Sequence, residues 1–247
     1  MKTKNLVVFI TPLIILILAG ATYLLYDKTL ISTVLAPEHS TALTVQDKKI
    51  TDDTKPFSIE VTYPYINGLD DFNKKVQDFI DKKINDFKEY CLENDAAVKK
   101  TDPAGYAQFP RMYDLIIAYE KGEVDNNVVS IVFNTYAFEG GAHGINTSVA
   151  LNYSPKLKTD IQLADLFPEQ PNYLKKISDF CIEDLIKQMT AGDVYNYADD
   201  SWLQDGAGPK PENYSVFLIN KNNIIFYFQQ YQVAAGVAGS FKVAMPR

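Results

Sequence analysis

The spacing of apolar residues changes several times along the chain, and each change marks a different predicted element. Leu6–Tyr26 is a run of 21 residues without a charge, LVVFITPLIILILAGATYLLY. At about 1.5 Å of rise per residue, such a helix crosses the roughly 30 Å hydrocarbon core of a bilayer. Lys2 and Lys4 precede the run, so the positive-inside rule puts the N-terminus in the cytoplasm and everything after about residue 26 outside. A cleaved signal peptide is the rival reading, with Ala19-Gly20-Ala21 or Val34-Leu35-Ala36 as cleavage site. Its apolar stretch is normally about 7–15 residues, which favours the uncleaved anchor. Both readings export the rest of the chain. Residues 27–55 mix Thr, Lys and Asp without a sustained period and predict a stalk.

From Pro56 the pattern becomes that of a folded region. Phe57–Tyr63 alternates at period two and predicts a strand. Between residues 69 and 92, Leu69, Phe72, Val76, Phe79, Ile80, Ile84, Phe87 and Cys91 recur at steps of three and four, one face of an amphipathic helix. A Pro- and Gly-containing loop at 101–110 follows. Met112–Tyr119 and Val128–Phe138 predict a hairpin, and Ile145–Tyr153 a third strand. Pro171–Met189 predicts a second amphipathic helix, with Leu174, Ile177, Cys181, Leu185 and Met189 on one face. After a loop at 190–213 come a second hairpin, Tyr214–Ile219 with Ile224–Gln230, and a last strand, Phe241–Met245. Strands and helices do not alternate strictly, so the predicted class is α+β with antiparallel sheets and two amphipathic helices. The order strand, helix, hairpin, strand, helix, hairpin suggests two similar halves, 56–155 and 156–247.

Charge narrows the partners. The chain carries −7 overall, and residues 1–55, with six Lys against five Asp or Glu, contribute +1, so the remainder carries −8. That excess of carboxylate argues against nucleic acid, whose phosphates demand Lys and Arg. It suits a basic protein partner, which an acidic surface steers inward. The 16 Tyr and 14 Phe add weight to the strands.

Three groups of residues carry candidate chemistry. Gly140-Gly141-Ala142-His143-Gly144 closes a long strand, and its glycines predict positive φ or a close backbone approach. His143 is one of two His in the chain, the other being His39 in the stalk. A zinc site needs about three protein ligands, so His143 reads as structural, and nothing calls for a metal or cofactor. Tyr195, Tyr197, Asp199, Asp200 and Trp202, with Asp205 nearby, interleave aromatics with carboxylates in the long loop. That mixture suits a protein hot spot or sugar stacking, and equally a solvated acidic loop. Cys91 and Cys181 fall on the apolar faces of the two helices. They read either as a disulfide, closing a loop of about 90 residues for roughly 4–5 kcal/mol, or as two buried thiols. No Gly-x-Ser-x-Gly, His-Glu-x-x-His or phosphate-cradling glycine loop occurs, so binding is favoured over catalysis.

Val129-Ser-Ile-Val-Phe-Asn-Thr-Tyr136 with Glu139-Gly-Gly-Ala-His-Gly144, Ile161-Gln-Leu-Ala-Asp-Leu-Phe167, and Ile225-Phe-Tyr-Phe-Gln-Gln-Tyr231 running to Ala235-Gly-Val-Ala-Gly239 form three blocks in order. Over roughly residues 56–246 they resemble a bacterial extracytoplasmic domain pair of unassigned biochemistry. That pair occurs in lysozyme-sensing anti-sigma-V factors and in the accessory region of PdaC-type peptidoglycan deacetylases. The resemblance implies a deacetylase-accessory-like first half, an anti-sigma-V-like second half and a role at the cell wall. With five residues before the apolar run, a sigma-factor-holding segment is not expected, and the paired His of the deacetylase centre have no counterpart here. The expectation is a membrane-anchored, non-catalytic binding module for lysozyme or for wall glycan of peptidoglycan. A wall-polymer-modifying enzyme and a structural envelope protein are the alternatives.

Overall fold

The computed structural model of the chain describes residues 42–109, 111–192 and 200–247. The apolar run Leu6–Tyr26 lies outside them, and among the described residues no helix is long and apolar enough to cross a membrane. The fold is α+β, as predicted, with four α-helices and two sheets among those residues.

The first sheet has six strands in sequence order: β1 (Val45–Asp52), β2 (Phe57–Ile66), β3 (Tyr113–Val124), β4 (Val129–Phe138), β5 (Ile145–Ser154) and β6 (Thr159–Asp160). Strand β1 corrects the predicted stalk. Its sequence, VQDKKITD, turns only Val45, Ile50 and Asp52 partly inward, which leaves no clear period to read. Charged residues on an edge strand also block further pairing. A second correction concerns direction. β2 and β3 run parallel, Phe57 facing Tyr113, because the long helix between them crosses over the sheet; the remaining pairs are antiparallel.

That helix, α1, spans Asp70–Thr101, nine residues beyond its predicted end at 92. Asp70 and Asp71 in the first turn and Lys99 and Lys100 in the last suit the helix dipole. Phe72, Val76, Ile80, Phe87 and Cys91 pack on Ile59, Val61, Leu115, Ile117, Ile131 and Phe133 to form the first core. A short helix, α2 (Pro103–Gln108), occupies the predicted loop; Pro103 opens it and Asp102 caps the Gly105 N–H at 2.9 Å.

The second unit places α3 (Tyr173–Ala191) and α4 (Asp200–Ala207) beside a three-stranded antiparallel sheet, β7 (Phe217–Ile219), β8 (Asn223–Phe228) and β9 (Phe241–Pro246). Ile177, Cys181, Leu185 and Met189 of α3 meet Phe226, Phe228 and Val243 in its core. The predicted loop at 190–213 therefore contains α4 and a 3-10 turn at Pro211–Tyr214. The halves are not alike: β5 completes the first sheet, β6 extends it to residue 160, and the second unit has three strands against six.

Strand β4 joins the units because it is buried on both faces. Val129, Ile131 and Phe133 face α1, while Val132 meets Leu218 and Tyr227 of the second sheet. The Gln229 side chain accepts from Ser148 N–H at 2.9 Å and donates to Ser148 C=O at 2.8 Å, so one amide fills part of the outward edge of β5. Lys242, Asn134 and Tyr227 all donate to Glu120, at 2.6, 2.7 and 3.0 Å. Burial alone would raise the Glu120 carboxyl, but these donors outweigh it and hold the group below its ordinary value. A depressed carboxylate stabilises the fold above its unfolded value of about 4.3, and that contribution is lost as pH falls through the folded value. The stability difference between wild type and Glu120→Gln is therefore expected to be flat near neutrality and to shrink below about pH 4.5. Urea midpoints across that range test it, and a pH-independent difference would refute the assignment.

Candidate functional site

The helix segment around Asp86–Tyr90 and the ends of β3, β4 and β5 enclose a groove of about 340 Å³, within the range of small-ligand sites. Its α1 wall is Phe87, Tyr90 and Asp86; its floor and far wall include Thr135, Thr147, Ile145 and Glu139. Helical spacing explains the first wall. Phe87 and Cys91 turn into the core, which leaves Tyr90 on the flank of the same turn, half exposed at 50%. Strand alternation explains the second: Thr135 and Ala137 share the α1-facing side of β4 with Phe133 and carry the pattern past the end of the apolar core. Asp86 is paired with Lys82 at 2.6 Å on the exposed side of the helix.

The glycine block shapes the rim beside Glu139. Gly140 has φ +82°, and a Cβ there would stand 3.0 Å from the Tyr113 ring and 3.2 Å from the Arg111 guanidinium. Both features expected of the block are therefore present, positive φ and close approach. His143 is exposed and its Nδ1 lies 3.0 Å from the Gly144 carbonyl, to which it donates. Gly141 follows in the same exposed turn. Among the described residues no three His, Cys, Asp or Glu side chains converge to hold a metal ion.

Behind the rim, Asp95 is a buried carboxylate near the C-terminal end of α1. It accepts from Tyr106 Oη at 2.6 Å and from Tyr113 Oη, with Lys99 Nζ at 4.0 Å. Burial, then the bond to Asp95, pushes the Tyr113 phenol well above its usual value.

Cys91 and Cys181 are free thiols, one in each core, so the structure does not join them as a disulfide. Burial pushes both up to about 12, aided at Cys91 by Glu139 and Asp95 and at Cys181 by Asp184. Thiols held protonated in this way are poor nucleophiles.

Of the predicted aromatic-acidic cluster, Tyr195, Tyr197 and Asp199 lie outside the described residues, and Asp200 opens α4. Trp202, partly buried on α4, donates its indole N–H to the Tyr231 carbonyl at 3.0 Å. Asp205 lies 3.5 Å from Lys210 Nζ. Of the groove residues, Tyr90 and Glu139 were not among the candidates the sequence offered. For Tyr90 the available signal was a large aromatic off the apolar face of its helix.

These features define an α+β module of two interlocked halves with an open groove of mixed aromatic, hydroxyl and carboxylate lining. Residues 50–146 match the family described as Deacetylase PdaC, and residues 164–247 match the one described as Protein of unknown function (DUF3298). The chain thus carries the two in tandem, a domain pair shared with PdaC-type proteins. Over 203 residues, 82% of this chain, it is 29% identical to the Peptidoglycan-N-acetylmuramic acid deacetylase PdaC of Bacillus subtilis (strain 168), and it spans 40% of that protein's length. The fold is also that of a DUF3298 family member from Bacteroides fragilis NCTC 9343, with a TM-score of 0.58 at 18% identity over 84% of this chain and 92% of the other.

Proposed function

We propose that the chain is an extracytoplasmic, non-catalytic module that binds the glycan of the cell wall and is held at the membrane by Leu6–Tyr26. The groove in the PdaC-like half carries this reading. A pyranose ring offers C–H faces to an aromatic side chain and hydroxyls or amides to carboxylate and hydroxyl partners. Exposed Tyr90 supplies the aromatic face, and Asp86, Glu139, Thr135 and Thr147 supply the polar partners. The likeness to a peptidoglycan deacetylase supports the same polymer as ligand. A charge-steered basic protein such as lysozyme is the other partner the acidic composition would suit, but no feature of the groove favours it.

The full chain in mild detergent should be retained on purified peptidoglycan. Tyr90→Ala and Glu139→Gln should each weaken retention about tenfold, near 1.4 kcal/mol, with little change in melting temperature because both side chains are at least partly exposed. Absence of wild-type retention would refute glycan binding. Wild-type retention that neither substitution alters would move the site away from the groove.

A further inference from the structure

The groove has two chemically different ends, and the register of α1 on β4 decides which residues meet at each. The Phe79 and Phe133 rings lie 4.9 Å apart, and farther along both elements Cys91 feels the charge of Glu139. The helix rises about 18 Å from residue 79 to 91 and the strand about 20 Å from 133 to 139, so α1 and β4 run side by side in one direction. Lys83 of the groove lining, a third of the way along, stands over Thr135, which pairs with Thr147 across the sheet. Tyr90 stands at the Glu139 end. One end therefore offers an ammonium and two hydroxyls, the other a phenol ring and a carboxylate, with Phe87, Ala137 and Ile145 between them.

The ammonium is uncompensated. Lys74, Lys75, Lys82 and Lys88 of the same helix each reach an aspartate within 3.0 Å. Lys83, partly buried, forms no ion pair or hydrogen bond among the described residues. Asp86 does not serve it, because Asp86 is held by Lys82. A charge drawn partly out of water without a partner costs free energy, and a bound counter-charge offsets that cost. The hydroxyls are unspent as well. Thr135 is 7% exposed, and neither it nor Thr147 uses its side chain in a hydrogen bond among the described residues. Each can donate to an oxygen of a carboxylate that Lys83 neutralises.

We infer that Lys83, Thr135 and Thr147 form a carboxylate subsite, so that the groove takes a glycan unit carrying a carboxylate. The inference rests on the reading that the groove binds wall glycan, and it names the chemical class of that ligand. Lys83 and Tyr90 are separated by roughly 10 Å of helix, so the stacked ring and the acidic group belong to a unit about the length of a disaccharide. Glu139 and the net charge of −7 turn away a polyanion, since a single ammonium does not offset a run of negative charges. In peptidoglycan the acid comes from the lactyl ether of the sugar or from the peptide attached to it, and both present the same group to Lys83.

Soluble peptidoglycan fragments should bind the full chain in mild detergent about tenfold more tightly than the same fragments with their carboxylates amidated. Lys83→Gln should remove that preference and leave the melting temperature unchanged, since Lys83 makes no ion pair or hydrogen bond to lose. Lys83→Arg should keep most of the preference. Lys100→Gln, at the far end of α1, alters the net charge equally and should leave binding as it is. Competition by amidase-treated strands, whose lactyl groups are free, assigns the acid to the sugar; competition only by fragments that keep their peptide assigns it to the peptide. Equal binding of native and amidated fragments, or a Lys100→Gln loss that matches Lys83→Gln, overturns the subsite. A Tyr90→Ala loss on both kinds of fragment would then keep the groove reading intact. Binding of neither kind overturns the two together.

Discussion

Asp95→Ala is expected to destabilise the protein by about 3–4 kcal/mol, measured as a shift of the urea unfolding midpoint. The residue is 3% exposed, and its partner Tyr113 is fully buried. Removing the carboxylate leaves the Tyr113 hydroxyl with no acceptor in a place water does not reach. An orphaned buried donor costs about 1–3 kcal/mol, and hydrogen bonds to a charged group contribute about 1.5–3 kcal/mol. Tyr106, partly exposed, recovers its loss from water. Asp95→Asn keeps the shape and one acceptor oxygen, so it should fall between alanine and wild type. A cycle of Asp95→Ala with Tyr113→Phe should show strong coupling, because each substitution alone strands the other group. An alanine variant within about 1 kcal/mol of wild type would mean that the pair is hydrated and contributes little.

The same residue explains why α1 was read too short. Phe87, Cys91 and Asp95 follow one another at steps of four on the buried face, but the third is a carboxylate, so a search for apolar periodicity stops at Cys91. The helix continues because Tyr106 and Tyr113 satisfy that carboxylate, and both lie outside the helix. A polar residue in a core register position is itself a sign of partners, although the sequence does not say which. Strand β1 was hidden differently: an edge strand with one packed face and many charges has no period strong enough to distinguish it from a linker. The parallel pairing of β2 with β3 was also illegible, since a crossover and a hairpin need the same local strand pattern.

The elements that were legible are those with a regular step or a dense apolar run, the faces of α1 and α3, the alternating start of β3 and the apolar runs of β4 and β8. The glycine block was read correctly in kind, because Gly140 occupies a conformation that favours glycine. Its functional consequence, the placing of Glu139 on a groove rim, depends on α1 returning over the far end of the sheet. Such long-range juxtaposition leaves no local mark. The turn at Tyr231 was illegible too, since a tyrosine gives no sequence sign that its backbone is left-handed.

Asn152→Ala is expected to cost about 3–4 kcal/mol, although the side chain lies outside the groove. Asn152 on β5 accepts from Ser130 Oγ at 2.6 Å and donates through Nδ2 to the Phe217 carbonyl at 3.0 Å. Ser130 Oγ in turn accepts from Ile219 N–H at 2.7 Å. Both side chains are buried, and together they satisfy the two ends of β7 on the face of the six-stranded sheet. Truncation strands a hydroxyl donor and a carbonyl at once, each costing about 1–3 kcal/mol. Ser130→Ala strands the Ile219 N–H and should cost about 2 kcal/mol. The double variant should cost less than the sum, because one network is broken once. Full additivity, or a loss below about 1 kcal/mol for Asn152→Ala, would show that apolar contact alone holds the halves. Apolar contact between Val132, Leu218 and Tyr227 attracts the two sheets but does not by itself choose a register. The Ser130–Asn152 pair does choose one, since its donors and acceptors are matched only when β7 lies where it does.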